Sequence, residues 1–464
     1  MIEGVGTHAL MARIISTGCD LGAIDRLRAH TVICMKLRYN VRVYPSASQR
    51  GSLARAFGCA RVVWNDALRL RRDAYAQGVP RPTAAELSKR VITEAKKTPE
   101  RAWLGQVSAV VLQQSLRDLE TAYSNFFASK NGTRKGPRMG PPKTKKKTAR
   151  QTIRFTANAH SITKSGKLRL SKIGDVEVRW SRKLPSQPSS VTVIQDPSGR
   201  YFASFVVEVD DKPLPELDME ETDTGIDLGL SSYAVLRGRK ILSPKFFRRQ
   251  ERKLKRAQRA MSRKQKGSNN RRKAKQTVAK IHARIADQRR DFIEQETTRI
   301  VRESQAVYVE DLNVKGMAAR GGWLGKSVLD QSLGRFARTL EAKCARYGRT
   351  FVRIDRWFPS TQLCSRTGCG RLTGPKGRGQ LNVRVWTCTE CGTQHDRDEN
   401  AEANLRAAGR KRVAEMRHEA ERQNACGEHV RPRKPGQRSL KQEPTRSPAA
   451  ARGGAGGNRS RSRG

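Results

Sequence analysis

The sequence is poor in acidic residues relative to basic ones. Across 464 residues, 43 Asp and Glu stand against 94 Lys and Arg, a formal net charge of +51. That excess is far beyond what solubility needs, and it repels itself unless a polyanion neutralises it. The chain also lacks any apolar run long enough to span a bilayer. It lacks a clean signal peptide, because Arg13 interrupts the one candidate stretch, HALMARIIST. It lacks a disulfide framework too. Nine cysteines is an odd count, four of them fall within 28 residues, and the other five are scattered. Together these absences argue against a membrane-spanning or secreted protein and point to a soluble, cytoplasmic one in a reducing compartment.

What is present points first to a long nucleic acid, since each neutralised phosphate releases counterions. The basic residues are clustered. Lys143, Lys145, Lys146 and Lys147 lie in the Gly- and Pro-broken loop RKGPRMGPPKTKKKTAR. Arg252, Lys255, Arg256, Arg271 and Arg272 lie within residues 245–275. Both clusters are candidate nucleic-acid contacts.

The chain divides by pattern. Residues 1–34 show no strong period and read as an extension, with the functional protein beginning near Met35. Leu37, Tyr39, Val41 and Val43 alternate with polar residues as a half-buried strand does. From about 47 to 130 the period is helical, and Val107, Val111, Leu112, Leu116, Leu119, Tyr123 and Phe127 mark one face. Strand signals return between 152 and 210, and QDPSG is a hairpin turn between the last two. An early strand, a helical insertion and several later strands suggest a small β-barrel over 35–215 carrying a helical domain. The acidic stretch DDKPLPELDMEETDT reads as a linker, and a second domain starts near 223. Two helices joined at KGSNN follow, the second with Val278, Ile281, Ile285 and Phe292 on one face. Residues 409–464 lose apolar content and read as a disordered basic tail.

Two sets of side chains carry chemistry. Cys364, Cys369, Cys388 and Cys391 form C-x4-C, eighteen residues, then C-x2-C. Such pairs place four thiolates around Zn²⁺ with no open position, which makes a structural site. Glycine follows the second cysteine of each pair. His395 reads as a surface or packing histidine. The second set is acidic. Asp227 interrupts the apolar strand of TGIDLGL, where a charge is costly unless neutralised. Glu310 ends the apolar run of QAVYVEDLNVKGM, and Asp398 lies in HDRDENAEANL ahead of a helical stretch. Singly, Asp398 could be a helix N-cap, and Glu310 and Asp311 ordinary strand-end acids. Jointly, three carboxylates offer hard oxygen ligands to Mg²⁺ or Mn²⁺, a pair of which activates water at a phosphodiester.

In this order, TGIDLGL, YVEDLNVKGM, CSRTGCG…WTCTECG and HDRDENAEANL closely resemble the TnpB (OrfB) proteins of bacterial insertion sequences, relatives of the type V CRISPR effectors. YNVRVYPSASQRGSLARAFGCARVVWNDAL and GSNNRRKAKQTVAKIHARIADQRRDF extend the resemblance over about 35–408. It implies an α/β multidomain protein. An N-terminal wedge barrel with a helical recognition insert would precede an RNase H-like, RuvC-type nuclease domain at 223–362 and 395–408, interrupted by a zinc ribbon at 363–394. It implies a transposon-derived guide RNA, double-stranded target DNA, and cleavage beside a short transposon-associated motif in a bacterial, nucleoid-associated setting. By motif, Asp227, Glu310 and Asp398 match the catalytic carboxylates and magnesium ligands, with Asp396 the fallback for the third. The departures are the x4 spacing of the first cysteine pair and Glu402 where alanine is usual. Asn400 is expected to support the turn that carries Asp398. Two other readings stay open on sequence: an RNA-guided DNA-binding repressor without cleavage, and a DNA transposase using the same carboxylates.

Overall fold

The computed structural model describes residues 33–425 apart from 135, 212, 320 and 381. Residues 1–32 of the proposed N-terminal extension and the end of the basic tail lie outside the described residues, while Ile33 and Cys34 already belong to the first strand. Strand β1 (Ile33–Tyr44) alternates apolar and basic side chains and pairs antiparallel along its length with β7 (Tyr201–Asp211). Ser46 then caps helix α1 (Ala47–Ala76) in a reciprocal capping box with Gln49. Helix α2 (Ala109–Lys130) runs beside α1, and the Ser115 hydroxyl donates to the Ala60 carbonyl across their contact. Val111, Leu112, Leu116 and Leu119 are buried as the periodicity predicts, but Phe127 is 43% exposed, so the apolar face outruns its partner.

The chain returns through β2 (Gln151–Thr156), β3 (His160–Ile162), β4 (Leu168–Leu170), β5 (Gly174–Arg179), β6 (Ser190–Gln195) and β7. The strand order is β2-β6-β7-β1-β5-β4-β3. The two edge strands, β2 and β3, are joined by one short turn at Ala157–Ala159, so the sheet is nearly closed. Strand β3 was not expected, because three residues without alternation give no signal.

The second body is a five-stranded mixed sheet of order β10-β9-β8-β11-β12. Strands β8 (Thr224–Leu228), β11 (Ala306–Glu310) and β12 (Thr350–Ile354) are parallel, and β9 (Ser232–Leu236) and β10 (Arg239–Leu242) extend one edge antiparallel. Helices α3 (Phe246–Ser262) and α4 (Asn269–Glu303) are the two basic helices of the sequence, closed on each other by Leu254, Ile281 and Ile285. Ile293, Ile300 and Val301 of α4, with Leu333, Phe336 and Leu340 of helix α5 (Leu333–Tyr347), pack on Ile226, Leu228, Val307 and Val309. Strand alternation turns the neighbouring residues, Gly225, Asp227, Tyr308 and Glu310, to the opposite face. That face is covered by helix α6 (Arg397–Ala425).

Two expectations need correction. Residues 409–425 are not disordered but continue α6, which is anchored by Arg410: its guanidinium bonds the buried Asp223 at 2.6 and 2.9 Å. Asp223 belongs to the stretch read as a plain linker. That stretch also holds a short helix, Met219–Thr222, capped by Asp218. Polar composition concealed both: Asp223 is ion-paired with Arg410 and Arg237, and only a few apolar side chains, Met219, Ala408 and Val413, pack on the cluster of Tyr308 and Leu405.

Candidate active site and metal centre

Glu310 ends β11, opposite Ile354 of β12. On its other side β11 pairs with β8 up to Val309 opposite Ile226, so the next position sets Glu310 beside Asp227. Both are half-buried. Enclosure in protein, then the charge of Asp398, pushes the Asp227 carboxyl up to about 6. Burial, then Asp227 and Asp311, pushes Glu310 up to about 7. Each acid therefore senses the next, and the structure brings the three into one electrostatic neighbourhood.

Helix α6 supplies Asp398. Its cap is not Asp398 but Asp396, whose Oδ1 accepts from the backbone N–H of Asp398 at 2.9 Å and of Glu399 at 3.0 Å. The N-cap reading of Asp398 is thus corrected. Asp396 is engaged in capping, and Asp398 sits in the first helical turn with its carboxylate free of backbone donors. Arg384 donates to it at 3.3 Å, and Lys240 lies 3.8 Å away. The three carboxylates are more open than the cysteines. Among the described residues, only the cysteine set has ligand atoms that all lie within 4.8 Å of one another.

Glycine decides how near α6 comes to the sheet. A Cβ at Gly225, two residues before Asp227, would lie 2.2 Å from the Glu402 carbonyl oxygen, and one at Gly409 would lie 2.1 Å from the Tyr308 ring. Glu402 replaces the usual alanine without crowding: its Oε1 accepts from the Gly225 N–H at 2.9 Å and pairs with Arg406 at 3.3 Å. Gly225→Ala should lower stability by about 1–3 kcal/mol, as overpacking does, and displace Asp398. Thermal melting of the variant checks the first, and its cleavage rate the second.

The four cysteines converge. Cys364 and Cys391 sulfurs are 3.6 Å apart, and those of Cys369 and Cys388 are 3.8 Å apart. Four thiols this close fit a tetrahedral soft cation such as Zn²⁺ and leave no open position. Gly370 and Gly392, with φ of 59° and 69°, make the left-handed turns behind the second cysteine of each pair. His395 is buried, its ring 4.7 Å from Trp386 and its Nε2 3.1 Å from the Cys364 sulfur. It is a packing residue that also touches the cluster. Strand β14 (Gln394–Asp396) pairs with β13 (Val385–Thr387), so the cysteine module leads directly into the cap of α6. Asn400 works differently from expectation. Instead of supporting its own turn, it accepts from the Ser365 N–H and donates to the Leu363 carbonyl, tying α6 to the first cysteine loop. Asn404, which the sequence reading missed, donates to the same carbonyl at 2.7 Å. The repeat of Asn at a four-residue interval was its signal.

The basic candidates divide. Lys143, Lys146, Lys147, Arg252, Lys255, Arg256 and Arg272 are exposed, and Lys255 lies 3.5 Å from Glu251. Lys145 is packed instead, its ammonium 3.8 Å from the Trp64 ring centroid. Arg271 donates to the carbonyls of Met261 and Lys264 and closes the turn after α3. Neither cation is placed as a free phosphate contact.

Residues 204–320 match the OrfB_IS605 family, described as "Probable transposase", and residues 334–405 match the "Cas12f1-like, TNB domain". Residues 35–79 match the OrfB_IS605 "Helix-turn-helix domain", although here they form one strand and one long helix. The chain is 42% identical over 423 residues to the "Putative RNA-guided DNA endonuclease" of Streptomyces pristinaespiralis, covering 89% of this chain and 98% of that protein. It is 28% identical over 425 residues to the "Putative RNA-guided DNA endonuclease InsQ" of Escherichia coli, covering 88% and 97%. The backbone is loosely similar to a chain in a cryo-EM structure of a Cas12f1–sgRNA–target DNA complex, with a TM-score of 0.45 and 14% identity over 77% of this chain and 82% of that one. The chain belongs to the TnpB (OrfB) family of insertion-sequence proteins.

Proposed function

We propose that this protein is an RNA-guided DNA endonuclease of a transposable element, cutting DNA beside a short transposon-associated motif. The observation that carries the reading is the pair Asp227 and Glu310. They are adjacent on parallel strands and face the helix that bears Asp398; enclosure pushes both up, helped by the charge of Asp398 at Asp227 and of Asp227 at Glu310. Buried anions gathered this way are unfavourable unless a cation joins them. A wholly carboxylate donor set suits Mg²⁺ or Mn²⁺. The chemistry such cations supply when bound is activation of a water and neutralisation of the leaving oxygen.

The chain's own residues do the rest. Asp227, Glu310 and Asp398 hold the cations, and Asp396 fixes the helix turn that presents Asp398. Arg384 and Lys240 balance the Asp398 charge until a cation does. The second body, 223–362 with 395–408, acts as the RuvC-type domain, and the cysteine module at 363–394 is a zinc ribbon that sets the register of α6. The nearly closed sheet and its helical insert serve as wedge and recognition parts. Exposed cations at 143–147 and along α3 hold backbone phosphates, while guide pairing supplies sequence specificity and the protein reads the flanking motif and heteroduplex shape.

The test is the RNA that purifies with the protein from cells carrying the flanking transposon DNA. A discrete RNA from the transposon end, required for binding matched duplex, is expected. Absence of any specific RNA would remove the guided reading and leave the transposase.

A further inference from the structure

Residues 355–363 bridge β12 to the first cysteine, Cys364, and they carry the most exposed tryptophan among the described side chains. Trp357 is 84% exposed. Its neighbour Phe358 is half-buried and turned into the cluster of Tyr308, Ile354 and Leu405. The bridge is held firmly. The Trp357 N–H donates to Asp355 Oδ1 at 2.8 Å, and the Phe358 N–H donates to the Asp355 carbonyl at 3.0 Å. The Arg356 guanidinium pairs with Asp311, the residue after Glu310. Asn404 donates to the Ser360 carbonyl at 2.8 Å. An indole is thus kept in solvent on an ordered turn, one residue from a contact to the acidic centre, at the carboxyl ends of parallel strands where α/β sheets bind ligands.

We propose that Trp357 is a stacking platform for an unpaired base of the DNA strand presented to Asp227, Glu310 and Asp398. This rests on the nuclease reading of those carboxylates. Two observations select the occupant. The chain carries a net charge of +51, so a polyanion is drawn to it, and Arg353 and Arg356, which precede the indole, are ion-paired with Asp311 and Glu341. Bases within a duplex have both faces covered by their neighbours, whereas a single strand offers a free face to an aromatic ring, whatever its sequence. Trp357 is a positioning residue: it fixes the strand's register relative to the acids and takes no part in bond breaking.

The test uses the complex purified with its own RNA, carrying Asp227→Asn so that DNA is bound and not cut. Single-stranded DNA with 2-aminopurine at successive positions is titrated in. Quenching confined to one or two adjacent positions is expected. Trp357→Ala should abolish that quench and weaken single-strand binding about tenfold, with an unchanged melting temperature, and Trp357→Phe should restore most of both. Cleavage by the complex with Asp227 intact, measured in parallel, tests the nuclease reading by itself, because the quench does not require cutting. An unchanged quench in Trp357→Ala overturns the proposal. So does failure of Trp357→Phe to restore it. Self-association of the complex that disappears in Trp357→Ala would assign the indole to a second copy and also overturn it.

Discussion

Asp227→Asn should reduce guided cleavage by roughly 10³-fold or more, as loss of a group acting within a catalytic unit does, and should stabilise the metal-free protein. The second effect follows from the sign of the shift. Enclosure raises the folded carboxyl to about 6, above its ordinary value near 3.9 in the unfolded chain. Between those values the native state holds a proton that the unfolded chain has released. Stability therefore falls as pH rises through that window, and above about 6 the whole penalty, on the order of 3 kcal/mol, is present. Asparagine carries no such penalty, and its removal also lowers the repulsion felt by Glu310. Melting of both proteins in chelator should show a gap at pH 7.5 that closes toward pH 4.5. Added Mg²⁺ should raise the melting temperature of the wild-type protein and leave the variant nearly unchanged. Equal stability at both pH values would mean that the carboxyl is not confined as described.

Removing the zinc-type site is expected to act at a distance. The four sulfurs lie within 4.8 Å, and the last cysteine is followed directly by β14 and the Asp396 cap. Binding free energy at such sites is folding free energy. Cys388→Ser should lose the bound metal, loosen residues 363–396 and release Asp398 from its place against β8. Cleavage should drop at least about 100-fold, in keeping with a carboxylate misplaced by an ångström, while the nearly closed N-terminal sheet stays folded. Metal content by mass spectrometry under native conditions and hydrogen exchange across 363–410 check this. Full cleavage by a metal-free Cys388→Ser protein would show that the module does not position Asp398.

How much could be read from residue order differs by element. The alternation in Leu37–Val43 and the stripe through Val111–Leu119 gave β1 and α2, because burial on one face leaves a period. The cysteine cluster was legible because ligand spacing is itself the signal. Asp227 stood out because an acid amid Ile226 and Leu228 has a cost that something must offset. What stayed hidden depended on partners far away in sequence. Asp223 looks like one more acid in a polar stretch until Arg410 reaches it from a helix far along the sequence. The division of labour between Asp396 and Asp398 depends on where α6 begins, and HDRDEN allows either. Lys145 and Arg271 read as phosphate contacts because composition does not show that Trp64 or a helix end takes them first.

The most direct test of the central claim is cleavage of a duplex library by the RNA-loaded protein, repeated after replacing the guide segment of the RNA. Mg²⁺-dependent cutting should follow the new guide sequence, stay next to the same short flanking motif, and vanish in Asp227→Ala. Cutting that ignores the guide, persists in Asp227→Ala, or is replaced by binding alone would contradict the account.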